Sequence, residues 1–396
     1  MKKSRHLRKD KKIALCILIA LLIFLLLWIL FYPWDSKENK SISETKKETE
    51  ENAVMPEDIL AEMTLEEKIY QMFIVSPEQI TGVNTVTAAG ETTKLALQTY
   101  PVGGVMYSKP NMISQEQIKE VIDNSQSYSD INLFIAVDEE GGTVNRLMDT
   151  LGTTRIDSMY TYKNKGTKTA RENARTIAKD MKSLGFNLDF APVADVWTNP
   201  QNTVIGERAY SDDFKEAAEL VNAAVEGFHE GGVLCTLKHF PGHGDTAEDT
   251  HTSTAYVTKS IENMKGEEFL PFEAGMDAGA ELVMVGHMIV ESVDDSVPAS
   301  LSEKIVTKIL REELGFDGLI ITDALNMAAI SEQYPSGQAA VMAVKAGNDL
   351  LLEPENLTES VNGIMEAVTE GDISEERINE SVLRILQTKY DAGILE

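Results

Sequence analysis

The chain has 396 residues, of which 43% are hydrophobic and 25% are charged. This composition is ordinary for a globular protein and excludes wholesale disorder. The formal net charge of −28 disfavours nucleic acid and anionic membrane surfaces as binding partners, so we expect no nucleic-acid function.

The first 32 residues have the pattern of a membrane signal anchor. Residues 1–12 contain seven basic residues and one acidic residue, and the twenty residues of 13–32 carry no charge. Such a run is long enough to cross a bilayer as a helix, and the basic cluster before it predicts a cytoplasmic N-terminus. No small-residue cleavage site follows the run, and Cys16 lies near its beginning, so neither a secretory nor a lipoprotein signal fits. We therefore expect a single-pass protein of the cell membrane whose remaining residues are extracellular.

A charged linker separates this anchor from the predicted folded domain. Residues 33–55 are rich in Lys, Glu, Ser and Thr, a composition typical of a disordered tether. The domain spans residues 56–396, and Thr64 with Glu67 forms a capping-box pattern that predicts a helix start. Because Cys235 is the sole cysteine of this domain, we expect no disulfide within it.

Short apolar runs alternate with longer amphipathic segments throughout the domain. The predicted strands are 71–75, 103–107, 133–138, 188–196, 233–240, 282–287, 318–323 and, less clearly, 348–352. The predicted helices include 113–128, 168–185, 214–232, 301–315 and 374–390. Apolar strands that are each followed by a helix indicate a parallel sheet covered on both faces. Eight such units predict an α/β fold, the (β/α)8 TIM barrel; a doubly wound open sheet would need an early G-x-G-x-x-G loop, which the sequence lacks.

Polar side chains follow most of the predicted strands where each strand ends. They are Asp138, Asp195, Lys238 with His239, His287, Asp323 and, in the less clear last strand, Asp349. In a barrel these strand ends surround one mouth, where the active site lies. An acid after a strand also commonly caps the following helix, and this interpretation stays open for Asp195 and Asp349.

The segment KHFPGHGDTAEDTH, residues 238–251, contains three of the six histidines of the chain. Its histidines and acids are acceptable metal ligands, but no pair has the i, i+4 spacing of a helical zinc motif, so we expect no catalytic metal. Retaining cleavage of a glycosidic bond needs a nucleophile on one face of the sugar and a proton donor on the other. Asp249 beside His251 suits the donor, because a carboxylate raises the pKa of a neighbouring imidazole.

KHFPGHG followed by D-x-H at 249–251 resembles the β-N-acetylglucosaminidase branch of glycoside hydrolase family 3. Further matches follow in the same order along the chain: VDEEGGTVNR (137–146), FAPVADV (190–196), VIGERAY (204–210), LVMVGH (282–287) and IITDALNM (320–327). The resemblance covers residues 56–390, and the long loop motif is its most specific part. Thr143 departs from it, because an arginine is frequent at that position of the family.

The resemblance implies a role for each matching residue. Asp323 falls on the nucleophile, His251 on the acid/base and Asp249 on its dyad partner. The implied substrate-binding residues are Asp138, Arg146, Arg208, Lys238 and His239, and we add His287 because it ends its strand in the LVMVGH match. The implied activity needs no cofactor: a retaining exo-β-N-acetylglucosaminidase that removes terminal N-acetylglucosamine from peptidoglycan fragments. Alternatives are a phosphorylase on the same scaffold, a metal-dependent hydrolase and a non-catalytic, membrane-tethered glycan-binding module.

Overall fold

A computed structural model of the chain describes residues 55–246 and 255–395 together with Phe24. The chain divides into two units, Met1–Val54 and Met55–Glu396. The predicted cytoplasmic segment, membrane anchor and linker lie outside the described residues, apart from Phe24 and Met55. Among the residues that are described, no helix combines the length and the apolar character needed to cross a membrane.

Eight parallel strands form the centre of the second unit. In chain order the ten strands of the described residues, eight in this sheet and two outside it, are β1 (Phe73–Val75), β2 (Gly104–Met106), β3 (Phe134–Val137), β4 (Leu188–Asp189), β5 (Leu234–Phe240), β6 (Tyr256–Val257), β7 (Leu282–Val285), β8 (Ile289–Val290), β9 (Leu319–Thr322) and β10 (Leu351–Leu352). The main sheet has the order β10-β1-β2-β3-β4-β5-β7-β9, while β6 and β8 pair separately. A parallel bridge between Ile321 and Leu350 joins the two edges of the main sheet. The sheet is therefore a nearly closed barrel, which confirms the predicted TIM-barrel architecture.

Helices follow the strands along the chain. They are α1 (Pro56–Glu62), α2 (Leu65–Gln71), α3 (Pro77–Thr81), α4 (Glu91–Thr99), α5 (Gln115–Tyr128), α6 (Leu147–Leu151), α7 (Thr167–Ser183), α8 (Phe214–Gly231), α9 (Ile261–Lys265), α10 (Phe269–Asp277), α11 (Lys304–Glu313, with π-type hydrogen bonds), α12 (Ala328–Ser331), α13 (Ser336–Ala346), α14 (Leu357–Glu370) and α15 (Glu375–Asp391). Short 3₁₀ segments cover Lys109–Asn111, Met159–Lys165, Gly206–Arg208 and Ala299–Leu301. The buried apolar residues of these helices and of the strands form one core cluster.

The predicted capping box at the start of α2 is confirmed. The Thr64 N–H donates to Glu67 Oε2 at 2.7 Å, and the Glu67 N–H donates to Thr64 Oγ1 at 3.3 Å. These two bonds satisfy N–H groups that the first helical turn leaves without an intrahelical partner. The residues before β1 are fixed in this way, and β1 itself is completely buried.

Each of the eight predicted strands contains one strand of the barrel, but the fourth is much shorter than its pattern. The run 188–196 is apolar almost throughout, yet β4 ends at Asp189. Pro192 interrupts the ladder because proline has no N–H to donate. Beyond it the chain follows β5 irregularly, through a single bridge between Val193 and Lys238. The residues after this irregular segment are thereby placed at the mouth of the barrel.

Asp349 lies at the opposite end of the barrel from the position expected for it. The residue precedes β10, and its Oδ2 accepts the N–H of Ile320, near the start of β9, at 3.0 Å. The same carboxylate contacts Arg311 at 2.6 Å and Arg384 at 3.0 Å. The expectation of a strand-end acid at the mouth is wrong here, because the last strand is short and begins after Asp349. This aspartate is a structural ion-pair centre, not a helix cap.

Candidate active site

The C-terminal ends of β3 and β5 bring together five charged residues, which we call the mouth cluster: Asp138, Glu140, Arg146, Arg208 and Lys238. Lys238 is at its centre and is 3% exposed. Its Nζ lies 2.8 Å from Asp138 Oδ1 and 2.6 Å from Glu140 Oε1. The lysine is therefore neutralised by two carboxylates that follow β3, although buried cations normally carry a high desolvation cost.

Two arginines complete the mouth cluster. Arg208 binds Glu140 through two parallel hydrogen bonds, each 2.8 Å long, from Nε and Nη2. Arg146 lies on the other side, with its Nη2 3.6 Å from Asp138 Oδ2. Glu139 holds the Arg146 backbone in place, because its carboxylate accepts the N–H groups of residues 146–148. Asp138, Arg146 and Arg208 remain partly exposed, so these members of the cluster can reach a ligand.

The buried members of the mouth cluster hold one another in the charged form. Burial acts to raise the pKa of Glu140, but Arg208 and Lys238 outweigh it and the pKa is lowered. Burial acts to lower the pKa of Lys238, but Asp138 and Glu140 outweigh it and the pKa is raised. The cluster thus keeps fixed charges at neutral pH, and such charges can orient sugar hydroxyls through charge-assisted hydrogen bonds.

Asp195 positions the histidine that follows Lys238. It is buried, and its Oδ2 lies 2.7 Å from His239 Nδ1 and accepts the His239 N–H at 3.1 Å. Its Oδ1 accepts the N–H of His243 at 2.6 Å. A carboxylate at Nδ1 directs the Nε2 side of the His239 ring away from Asp195. The helix-cap interpretation of Asp195 is therefore replaced by a role in orienting His239 and the loop after it.

Asp323 follows β9 at the same mouth and is partly exposed. Its Oδ1 accepts the N–H of Ala324 at 2.8 Å. Burial acts to raise the pKa of Asp323, but the charge of His239 and the Ala324 N–H are among the groups that outweigh it and lower the pKa. A carboxylate that stays ionised at the mouth of the barrel has the property required of a nucleophile.

His287 is fully buried, which differs from the direct substrate contact expected for it. Its Nδ1 lies 2.8 Å from Ser300 Oγ, and its Nε2 lies 2.9 Å from the carbonyl oxygen of Ala324. Nε2–H can donate to this carbonyl oxygen, and Nδ1 shares a hydrogen bond with the serine hydroxyl. In the structure His287 therefore supports the backbone next to Asp323.

The predicted acid/base His251 and its partner Asp249 lie outside the described residues, as do all of residues 247–254. The described first half of the loop is anchored firmly. His243 is buried, with its Nδ1 2.6 Å from Thr246 Oγ1, and Asn202 donates to the His243 carbonyl oxygen at 2.7 Å. Burial is the main cause of a lowered pKa for His243. This half of the loop is held against the barrel on the side of Asp195.

Glu140 is the principal site residue that the sequence did not single out. It stands two positions after Asp138 in VDEEGG, but the sequence gives no sign of which acid turns inward to Arg208 and Lys238. Glu139 was missed in the same way. The signal available was the run of three acids after an apolar strand, which exceeds what one helix cap requires.

The architecture and the mouth cluster define a class of protein. This is a parallel β/α barrel that carries an ionised aspartate and fixed charges at its C-terminal mouth, an arrangement suited to binding and cleaving a hydroxyl-rich ligand. The model of the glycosyl hydrolase family 3 N-terminal domain matches residues 64–388. The chain belongs to this family.

Individual relatives agree with the family assignment. Beta-hexosaminidase A of Pseudoalteromonas piscicida is 33% identical over 319 residues, which are 73% of this chain and 53% of the relative. The beta-hexosaminidase of Xanthomonas euvesicatoria pv. vesicatoria (strain 85-10) is 33% identical over 278 residues, which are 68% of this chain and 81% of the relative. A solved glycoside hydrolase family 3 beta-N-acetylglucosaminidase from Paenibacillus sp. str. FPU-7 has a TM-score of 0.79 and 35% identity, over 84% of this chain and 63% of that one. The chain thus spans about half of the first relative and less than two thirds of the solved structure.

Proposed function

We propose that the chain is a retaining exo-β-N-acetylglucosaminidase that acts on peptidoglycan fragments. The observation that carries this proposal is the ionised Asp323 at the same barrel mouth as Lys238, His239 and the rest of the mouth cluster. The names of the relatives, beta-hexosaminidase and beta-N-acetylglucosaminidase, support the choice of sugar.

In the proposed first step the Asp323 carboxylate attacks the anomeric carbon while His251 donates a proton to the leaving oxygen. The glycosidic bond breaks, and the leaving alcohol departs with that proton. Asp249 stabilises the imidazole in its proton-donating form. In the second step His251 takes a proton from water, and the resulting hydroxide displaces Asp323 with net retention of configuration.

The mouth cluster would hold the sugar during both steps. Asp138 and Arg146 are partly exposed and can bind hydroxyl groups directly. Lys238 and His239 follow one another at the end of β5 and present donors to the same space. Glu140 is as deeply buried as Lys238, and it fixes both Lys238 and Arg208 without needing to touch the sugar, whereas Arg208 is partly exposed and can also contact it.

The N-terminal sequence supports the proposed biological substrate and location. A membrane anchor with an extracellular domain would place the enzyme next to the cell wall, where β-linked N-acetylglucosamine is abundant in peptidoglycan. We therefore propose terminal, exo-acting removal of this sugar from wall fragments by a single-pass membrane protein, with a role in cell-wall turnover.

The test is to incubate the full chain with muropeptides that end in N-acetylglucosamine and to identify the products by mass. Release of free N-acetylglucosamine from wild type, and its loss in Asp323→Ala, is the expected result. A protein that binds the fragments and releases no sugar would be a glycan-binding module and would contradict the proposal.

Parallel reactions with and without phosphate separate hydrolysis from phosphorolysis. We expect both reactions to release free sugar at the same rate. Accumulation of the sugar 1-phosphate in the reaction with phosphate would make the chain a phosphorylase. A chelator should leave the rate unchanged. Loss of activity with recovery on adding a divalent ion would favour a metal-dependent hydrolase.

A further inference from the structure

Three potential metal ligands converge at the end of the barrel opposite the mouth. His229 lies in the last turn of α8, Cys235 is the second residue of β5, and Glu281 directly precedes β7. One ligand atom from each of the three lies within 4.8 Å of the other two. His229 and Cys235 are close in the sequence, whereas Glu281 lies 46 positions after Cys235, and the pairing of β5 with β7 brings these two residues side by side.

The distances within this group, which we call the basal triad, are close to those of a coordination shell. His229 Nε2 is 2.9 Å from Glu281 Oε1, and Cys235 Sγ is 3.7 Å from Glu281 Oε2. Zinc bonds of about 2.0–2.3 Å at tetrahedral angles separate neighbouring ligand atoms by about 3.2–3.8 Å. The sulfur–oxygen distance already fits. The partly exposed His229 and Glu281 side chains have the freedom to separate by the few tenths of an ångström that the other pair needs.

The chemistry of the basal triad suits a borderline-soft divalent cation. Imidazole nitrogen, thiolate sulfur and carboxylate oxygen are the ligand types that zinc takes in proteins. One thiolate and one carboxylate balance the charge of a divalent ion, so the bound site would be neutral in its partly buried setting. Hard cations such as magnesium prefer oxygen ligands alone.

A cavity beside the triad supplies a path for the ion and room for a fourth ligand. The cavity has a volume of about 570 Å³, and His229, Glu281, Asn187 and Lys182 are among the residues that line it. Cys235 lies behind this lining and has no exposed surface. A cation held by the triad would therefore keep one position open to water from the cavity.

We propose that His229, Cys235 and Glu281 form a binding site for zinc or a similar divalent transition metal. The site lies at the N-terminal ends of the strands, which in a barrel serve stability and not catalysis. It is distinct from the loop 239–251 and from the proposed chemistry at the mouth. The bound ion would tie the end of α8 to β5 and β7, and binding would release the thiol proton, so affinity would increase with pH.

The chain offers a matched pair of variants for the test, because Cys235 and Cys16 are its two cysteines. The full chain, purified without a histidine tag and under reducing conditions, is titrated with Co²⁺ while the thiolate-to-cobalt absorption band is recorded. We expect a saturable one-to-one band in wild type and in Cys16→Ser, and none in Cys235→Ser. His229→Gln and Glu281→Gln should weaken binding at least tenfold. No saturable band in Cys16→Ser, or an equal band in Cys235→Ser, would overturn the proposal.

Thermal unfolding gives a second measurement that does not depend on spectroscopy. Zn²⁺ at a hundredfold excess over its Kd should raise the Tm of wild type and of Cys16→Ser by about 5 °C. The Tm of Cys235→Ser should not respond to Zn²⁺, while its cooperative unfolding without metal shows that the variant is folded. An equal rise of Tm in Cys235→Ser would place the metal elsewhere on the protein.

Discussion

Lys238 Nζ lies 2.6 Å from Glu140 Oε1, and both side chains are 3% exposed. The lysine lies near the end of β5, whereas the glutamate follows β3, so this contact ties together two strands that are not neighbours in the sheet. Because Arg208 binds the same glutamate, one carboxylate sets the positions of two cations. The electrostatic arrangement of the mouth is thus set by contacts between the protein's own side chains.

Glu140→Gln should destabilise the protein strongly, because it leaves Lys238 and Arg208 buried with one negative charge fewer. We expect the free energy of unfolding to fall by about 3–5 kcal/mol, measured by urea denaturation. Glu172→Gln is the matched control, since Glu172 pairs with Lys168 on the surface at 3.8 Å. The control should change stability by less than about 0.5 kcal/mol. Equal effects of the two substitutions would show that the mouth cluster contributes no more than a surface pair.

Asp195→Asn should impair turnover through His239. The amide keeps the volume of the side chain but no longer holds the imidazole and the His243 N–H as a carboxylate does. We expect kcat/KM for an aryl N-acetyl-β-glucosaminide to fall by about 10²-fold, because a small displacement of a group in an active site has an effect of this size and the His239 ring would be displaced. The pH profile should change along with the rate. An unaltered profile and rate would limit Asp195 to a packing role.

The pH dependence of kcat/KM should reveal the lowered pKa of Asp323. Asp323 acts as a carboxylate, and it becomes protonated as the pH falls through its pKa. The fall of kcat/KM on the acid side of the profile, the acid limb, should therefore lie below about pH 4. His239→Gln removes the neighbouring positive charge and should move the limb upward by about one unit. Lys308→Gln, which breaks a surface pair with Glu312, serves as the control and should not move it. A limb at the same pH in His239→Gln would mean that His239 does not act on Asp323.

His251→Ala should show whether this histidine is the proton donor. A poor leaving group needs protonation, so we expect a loss of about 10²–10⁴-fold with an alkyl or sugar leaving group. A nitrophenyl leaving group departs without help, and the loss in the first step should then be small. Rates are compared for both substrates under single-turnover conditions. An equal loss of rate with the two substrates would show that His251 is not the acid catalyst.

The sequence predicts the barrel well because its strands are apolar on both faces and separated by amphipathic helices. The eight observed barrel strands fall inside the eight predicted runs; β4 is cut short where Pro192 interrupts the ladder, and β10 is also shorter than its predicted run. The sequence predicts the wrong end of the barrel for Asp349, because a strand of two residues is too short to show where it begins. The pattern of strand ends nevertheless located Asp138, Lys238 and Asp323 at one mouth.

What the sequence could not supply is the pairing of charges in space. Nothing in VDEEGG distinguishes Glu140, which binds Arg208, from Glu139, which accepts N–H groups at the start of α6. The two residues differ only in the direction in which their side chains turn. The basal triad is hidden for a similar reason, because Cys235 meets Glu281 only through the register of β5 and β7. Contacts between distant segments depend on strand register, which local sequence patterns do not specify.

The most direct test of the account is to identify the residue that carries the covalent intermediate. The full chain is incubated with a slowly turned-over, fluorinated N-acetyl-β-glucosaminyl donor, digested, and analysed by peptide mass spectrometry. We predict one added glycosyl group per chain, attached to the Asp323 carboxylate in the peptide that contains IITDALNM. A label on any other residue, or turnover of the donor by Asp323→Ala at the wild-type rate, would contradict the assignment of the nucleophile.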